Sequence, residues 1–145
     1  MQEEDEKYMR MALDQAHQAA LRGEVPIGAV IVAGGQVVAR AHNLTQTLSD
    51  PTAHAEMQAI TAAASTLGGK YLPQCTLYVT VEPCPMCAGA LYWAQIGTII
   101  YGAKDPKRGY STIAPNLLHP KTIVRHGVLS IECAKIVSDF FEKIR

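Results

Sequence analysis

Two short motifs supply the residue types that bind a metal ion and move protons. They are His54-Ala55-Glu56 and Pro83-Cys84-Pro85-Met86-Cys87, which together offer one imidazole, two thiols and one carboxylate. A closed structural zinc site uses four protein ligands, whereas a catalytic site uses three and leaves the fourth position to water. Three such ligands beside a carboxylate predict a hydrolytic site, in which a metal ion activates water and Glu56 moves the proton.

The remaining cysteines and the Cys-x-x-Cys spacing leave alternatives open. Cys75 and Cys133 could complete a four-ligand site. However, one lies within a predicted strand and the other within a predicted helix, so we interpret both as small buried apolar residues. Cys84 and Cys87 alone could form a redox pair. A non-enzymatic alternative is a zinc-stabilised binding module, in which the metal serves folding only. The nearby histidine and glutamate favour the catalytic interpretation.

Both motifs are predicted to lie where a strand or loop meets the first turn of a helix. A helix is predicted from His54 to Leu67, ended by Gly68-Gly69, and a second from about Cys84 to Ala94. Before the second helix, Pro83 ends a strand predicted over 75–81, because proline cannot donate to a sheet. Free N–H groups and the dipole at a helix N-terminus favour thiolates over thiols. The predicted elements therefore prepare both cysteines as ligands.

The rest of the chain predicts the frame around these motifs. Apolar spacing predicts a first helix over about 4–22 and a closing helix over 131–144. Strands over 27–33 and 36–41 flank Gly34-Gly35, a dipeptide typical of tight antiparallel hairpins. A fourth strand over 98–101 follows the third through a helix, which predicts a parallel crossover. A short fifth strand is expected over 122–125, and residues 103–120 receive no assignment.

This order of elements predicts one α/β domain over residues 1–145, a three-layer α/β/α sandwich around a mixed five-stranded sheet. The chain is 48% apolar and 18% charged, which suffices for one hydrophobic core. Its apolar runs are too short to span a membrane, and its acidic N-terminus differs from a signal peptide. We therefore expect a cytoplasmic protein without a membrane partner.

Several segments resemble a known enzyme family over nearly the whole chain. They are Glu24-Val-Pro-Ile-Gly-Ala-Val, Asp50-Pro-Thr-Ala-His-Ala-Glu, Thr76-Leu-Tyr-Val-Thr-Val-Glu-Pro-Cys, Met86-Cys-Ala-Gly-Ala and the closing Phe140-Phe141. With the paired H-x-E and P-C-x-x-C motifs of zinc nucleobase deaminases, they resemble the bacterial tRNA-specific adenosine deaminases. The resemblance implies a cytidine-deaminase-like fold, a homodimer, and one Zn²⁺ per subunit bound by His54, Cys84 and Cys87.

The same resemblance implies a reaction. Hydroxide on the zinc would attack C6 of adenosine at the wobble position of a tRNA anticodon loop. Glu56 would protonate the departing amine, which leaves inosine and ammonia. The alternative is a deaminase of a free base or nucleoside, of the cytosine or guanine type, with the same zinc site.

Substrate contacts are also implied by the resemblance. Asn43 would hydrogen-bond the flipped nucleoside, Pro26 and Ile27 would enclose the base, and backbone near Ala53 and Cys84 would orient base and water. Asp105 would contact the RNA backbone. Glu82 is interpreted as a residue that orients backbone and does not act as a second base.

The balanced total of 13 basic and 13 acidic residues conceals an uneven distribution. Residues 3–6 are all acidic, whereas 104–126 contain one acid, Asp105, and five bases: Lys104, Lys107, Arg108, Lys121 and Arg125. We expect these five to line one side of the zinc pocket and to contact the anticodon stem-loop. An Asn-His pair that family members often carry before Gly127-Val128-Leu129 is absent here, and His119 is a candidate substitute.

Overall fold

The structure, a computed structural model, describes residues 2–144. Its strands are β1 (Gly28–Ala33), β2 (Gln36–His42), β3 (Cys75–Val81), β4 (Thr98–Ala103) and β5 (Ile123–His126). Its helices are α1 (Gln2–Leu21), α2 (Ala55–Leu67), α3 (Pro85–Ala94), α4 (Tyr110–Ile113) and α5 (Ser130–Lys143). The predicted elements are present with slightly shifted bounds. The four-residue helix α4 lies in the unassigned stretch, because one turn is too short to show an apolar period.

The five strands form one mixed sheet in the order β2-β1-β3-β4-β5. Strand β1 runs antiparallel to β2 and β3, and β3, β4 and β5 run parallel to one another. The hairpin between β1 and β2 turns at Gly34 and Gly35, whose φ angles of +57° and +77° suit glycine. The predicted antiparallel hairpin and the parallel β3–β4 connection are both confirmed.

Helices cover both faces of the sheet. One face packs against α2 and α3 through alanines and leucines such as Ala59 and Leu91, and the other packs against α1 and α5 through residues such as Met9 and Cys133. The predicted three-layer α/β/α arrangement is confirmed. None of the helices within 2–144 combines the length and the apolar character needed to cross a membrane.

The register of β3 and β4 determines which loops meet at the edge of the sheet. Val81 at the end of β3 is paired with Ala103 at the end of β4. Because the strands are parallel, the chain leaves both at the same edge, and Glu82 N–H donates to the Ala103 carbonyl at 2.8 Å. The segment that leads into Cys84 and the loop that begins at Lys104 therefore start side by side.

Candidate active site

Two helix N-termini bring the predicted metal ligands together. His54 immediately precedes α2 and Cys84 immediately precedes α3, both with extended backbone, and Cys87 lies in the first turn of α3. His54 Nδ1 lies 3.6 Å from Cys84 Sγ and 3.4 Å from Cys87 Sγ. Local helix starts and the sheet register thus place one imidazole and two thiols around a common point.

The spacing of these three atoms fits a zinc ion. In a tetrahedral site with Zn–N near 2.0 Å and Zn–S near 2.3 Å, the nitrogen–sulfur separation is about 3.5 Å. Within residues 2–144, His54, Cys84 and Cys87 form the one group of three such side chains whose ligand atoms all lie within 4.8 Å of one another. Cys75 and Cys133 are buried elsewhere, where burial raises the pKa of both thiols.

The protonation of the pair also fits a divalent cation. A hydrogen bond from the Cys87 thiol, aided by His54 and opposed by burial, lowers the pKa of Cys84 to about 4. The same hydrogen bond, together with burial, raises the pKa of Cys87, and the contact with Cys84 raises the pKa of His54. A divalent cation between the two sulfurs would offset the charges of both thiolates, which is the form in which cysteine binds a metal.

Glu56 lies in the first turn of α2 and is only 4% exposed. Burial raises the pKa of its carboxyl group to about 7, against the opposing effect of a hydrogen bond from its own backbone and of His54. A carboxyl group with a pKa near neutrality can both accept and donate a proton, and a nearby cation would shift it toward the ionised form. Its position beside the ligands suits proton transfer.

A cavity of about 790 Å³ opens onto these residues and is large enough for a nucleoside. His54, Glu56 and Cys84 line it, together with Ile27 and Asn43. The side-chain oxygen Oδ1 of Asn43 is buried without a hydrogen-bond partner. Because buried acceptors are normally satisfied, this oxygen is a position for a donor on a bound molecule.

Three other predicted contact residues have different placements. Pro26 and Ala53 are both buried and do not line the cavity. Asp105 lines the cavity, and its Oδ1 accepts hydrogen bonds from the backbone N–H groups of Lys107 and Arg108 at 3.1 and 3.0 Å. Asp105 therefore shapes its own turn, and its contact with RNA stays a prediction.

The predicted basic lining is correct for three residues and wrong for two. Lys104, Lys107 and Arg108 are exposed and line the cavity. Lys121 and Arg125 do not line it. Arg125 forms a salt bridge with the buried Asp5 of α1 instead. The acidic N-terminus thus neutralises part of the basic stretch.

Asp5 and His119 each have further partners within the protein. Asp5, which pairs with Arg125, also accepts a hydrogen bond from Tyr78 at 2.8 Å, so one buried carboxylate joins α1, β3 and β5. His119, the candidate substitute for the absent Asn-His pair, packs against the ring of Tyr92 at 5.7 Å between centroids and does not line the cavity.

One wall of the cavity and one buried acid, Glu24, were not predicted from the sequence. One wall comes from α5: Ala134, Val137, Ser138 and Phe141. Glu24 is fully buried. It accepts hydrogen bonds from Gln46 N–H at 3.1 Å and from the N–H and the hydroxyl of Thr47, each at 2.6 Å. These bonds outweigh burial and hold the pKa of Glu24 below its usual value. A lone acid before Val25-Pro26-Ile27 was the available signal.

Comparison with known proteins places the chain in a family. It matches the family model of the MafB19-like deaminases over residues 3–145. It is 46% identical over 147 residues to the tRNA-specific adenosine deaminase of Bacillus subtilis (strain 168), which covers 98% of this chain and 91% of that protein.

Solved structures of deaminases are also similar to this chain. A structure from a study of A-to-I editing by tRNA:A34 deaminases at the wobble position of transfer RNA shares 44% identity and a TM-score of 0.84, covering 90% of this chain and 98% of the other. A guanine deaminase from Bacillus subtilis shares 38% identity and a TM-score of 0.66, covering 79% and 70%. The chain therefore belongs to the MafB19-like deaminase family and to the tRNA-specific adenosine deaminases.

Proposed function

We propose that this protein hydrolyses adenosine to inosine at the wobble position of a tRNA anticodon loop. The observation that carries the proposal is the convergence of three features on one cavity: a zinc-fitting group, the buried Glu56, and exposed cations at the rim. A deaminase of a free base or nucleoside needs the first two and has no use for the third. The identity to tRNA-specific adenosine deaminases supports the same choice.

The reaction adds the oxygen of water to C6 of adenine and releases the exocyclic nitrogen as ammonia. Zn²⁺ held by His54, Cys84 and Cys87 would supply activated water at neutral pH. Glu56, buried beside these ligands, carries protons from the water to the base, so that one completes the departing ammonia and the other ends on N1 of the product. Asn43 offers its unpartnered Oδ1 to a donor of the flipped nucleoside.

The basic rim would hold the RNA around the flipped base. Lys104, Lys107 and Arg108 are exposed on one side of the cavity, where their charges can contact phosphates. An anticodon loop suits such a site because its bases are already unstacked, so that extruding one costs less than in a duplex. Asp105 would position the turn that carries these cations.

We also propose a homodimer of single-domain subunits that acts in the cytoplasm. The exposed aromatic side chains of α3 support an interface, since Trp93 is 76% exposed and Tyr92 is 38% exposed. The four free cysteines suit a reducing compartment. Light scattering of the purified protein tests the dimer, and a monomeric mass at micromolar concentration would contradict it.

The substrate is tested by measuring ammonia release. Purified zinc-loaded protein is incubated with an anticodon stem-loop that carries adenosine at the wobble position, and in parallel with free adenine, adenosine, guanine and cytosine. We expect ammonia from the stem-loop. A matched stem-loop with guanosine at that position is the control and should give none. Ammonia from the free compounds alone would contradict the tRNA substrate and favour the alternative.

A further inference from the structure

A buried carboxylate outside the proposed chemistry holds the loop that carries the rim cations. Glu82 is 4% exposed and follows β3 directly. Its Oε1 accepts a hydrogen bond from Asp105 N–H at 3.1 Å, and its Oε2 accepts from Ser111 N–H at 3.0 Å and from the Ser111 hydroxyl at 2.5 Å. All three donors belong to the segment 104–111, at its beginning and at its end.

The backbone beside Glu82 reinforces this connection. Tyr110 N–H donates to the Pro83 carbonyl at 2.9 Å, and within the loop Gly109 N–H donates to the Asp105 carbonyl at 2.9 Å. Segment 104–111 is thus closed on itself and fastened at both ends to residues 82–83. Those residues lead directly into Cys84, so the loop and the metal ligand share one support.

The position of Gly109 is independent evidence for the close contact between the loop and Glu82. Its backbone has φ −64° and ψ 143°, which any residue adopts, so backbone conformation does not require a glycine here. A Cβ atom at this position would instead lie about 2.5 Å from both carboxylate oxygens of Glu82. The loop therefore approaches the carboxylate as closely as the absence of a side chain permits.

We propose that Glu82 is a positioning residue for RNA binding: through Asp105, Gly109 and Ser111 it holds segment 104–111 so that Lys104, Lys107 and Arg108 face the phosphates of the substrate. This inference rests on the proposed function for the identity of the substrate. It assigns Glu82 no contact with the reacting atoms. The carboxylate acts on binding of the macromolecule, while Glu56 acts on the chemistry.

The test perturbs the contact from both sides. Glu82→Gln replaces one acceptor oxygen by a donor, and Gly109→Ala pushes a methyl group against the carboxylate from a position remote from the ligands in sequence. Gly69→Ala is the matched control, because a Cβ there meets nothing within 4 Å. Zinc content is measured on every variant, so that a damaged metal site is recognised.

Two readouts separate positioning from a general loss of structure. The first is amide hydrogen exchange at Asp105 and Ser111, which should become faster in Glu82→Gln and Gly109→Ala. The second is the affinity for the wobble-adenosine stem-loop, measured in a Glu56→Ala background that prevents turnover. We expect Kd to rise roughly three- to tenfold, and the slope of log Kd against log salt concentration to fall by about 0.7 for each phosphate that is no longer neutralised. In the active background KM should rise while kcat stays within about twofold.

The effects of substitutions at Glu82 and Gly109 on Kd should not be additive. Since both act on one contact, Gly109→Ala should have no further effect on Kd in a Glu82→Ala background. Zinc-replete Glu82→Gln and Gly109→Ala proteins that keep the wild-type Kd and salt dependence would overturn the positioning role. Failure of the wild-type protein to bind or deaminate the stem-loop would overturn the proposed function instead, and hydrogen exchange would then decide alone whether Glu82 holds the loop.

Discussion

Replacing Glu24 by glutamine should destabilise the protein and loosen the loop next to Asn43. Glu24 is fully buried, and its two oxygens accept hydrogen bonds from Gln46 and Thr47 at 2.6 to 3.1 Å. Glutamine keeps one acceptor oxygen, so it can serve one of these partners but not both. A hydrogen bond to a charged group is worth about 1.5–3 kcal/mol. Gln46 and Thr47 are exposed residues, so a freed donor can bond to water and adds no further penalty. We expect a loss of about 2 kcal/mol.

The stability difference between the wild type and Glu24→Gln should depend on pH in a defined direction. Hydrogen bonds hold the pKa of Glu24 below the ordinary value of 4.5 in the folded protein. The unfolded chain therefore takes up the proton first as the pH falls, which favours unfolding. The stability advantage of the wild-type protein over Glu24→Gln should be complete above pH 4.5, decline below it, and vanish below the depressed pKa.

Urea denaturation at a series of pH values measures this difference. Both proteins are compared under identical zinc concentrations, so that metal release contributes equally. Glu142→Gln, which changes an exposed carboxylate, is the control and should match the wild type throughout. A loss below about 0.5 kcal/mol at pH 7, or a difference that grows as the pH falls, would refute the role assigned to Glu24.

Two further substitutions test other parts of the structure. Asn43→Ala should lower kcat/KM for the stem-loop about tenfold, the value of one hydrogen bond, without lowering Tm, because its Oδ1 has no partner in the protein; a large loss of Tm would show a structural role instead. Arg125→Ala should destabilise by about 1–2 kcal/mol in urea, since it leaves the buried Asp5 without its cation, while the 40% exposure of the Arg125 side chain lets water screen the pair. Lys135→Ala, which breaks the exposed pair with Asp139, should give no measurable change, and equal effects would contradict this distinction.

The grouping of the three predicted metal ligands could be anticipated because their positions depend on local sequence. His54, Cys84 and Cys87 each lie at the start of a helix that alanine-rich or proline-initiated sequence specifies. The order of helices and strands then leaves few ways to arrange a mixed sheet. The hairpin at Gly34-Gly35 and the parallel pairing of β3 with β4 follow from the same local signals.

The surroundings of the site depend on contacts between distant residues, which one sequence does not reveal. Arg125 was expected at the cavity, yet its partner Asp5 lies 120 positions away in the chain. Lys104 and Arg108 belong to the loop after β4, which starts beside Glu82 through the pairing of β3 with β4 and the hydrogen bond from Asp105 N–H. Helix α5 forms one wall of the cavity although its apolar pattern predicted only a packed helix.

The most direct measurement of adenosine deamination at this site compares the wild-type protein with Glu56→Ala. Metal content and inosine at the wobble position of the stem-loop are determined on the same preparations. We expect about one zinc ion per chain in both proteins, and inosine formation that falls by roughly 10²- to 10⁴-fold in the variant. A variant that retains its zinc and forms inosine at the wild-type rate would contradict proton transfer by Glu56.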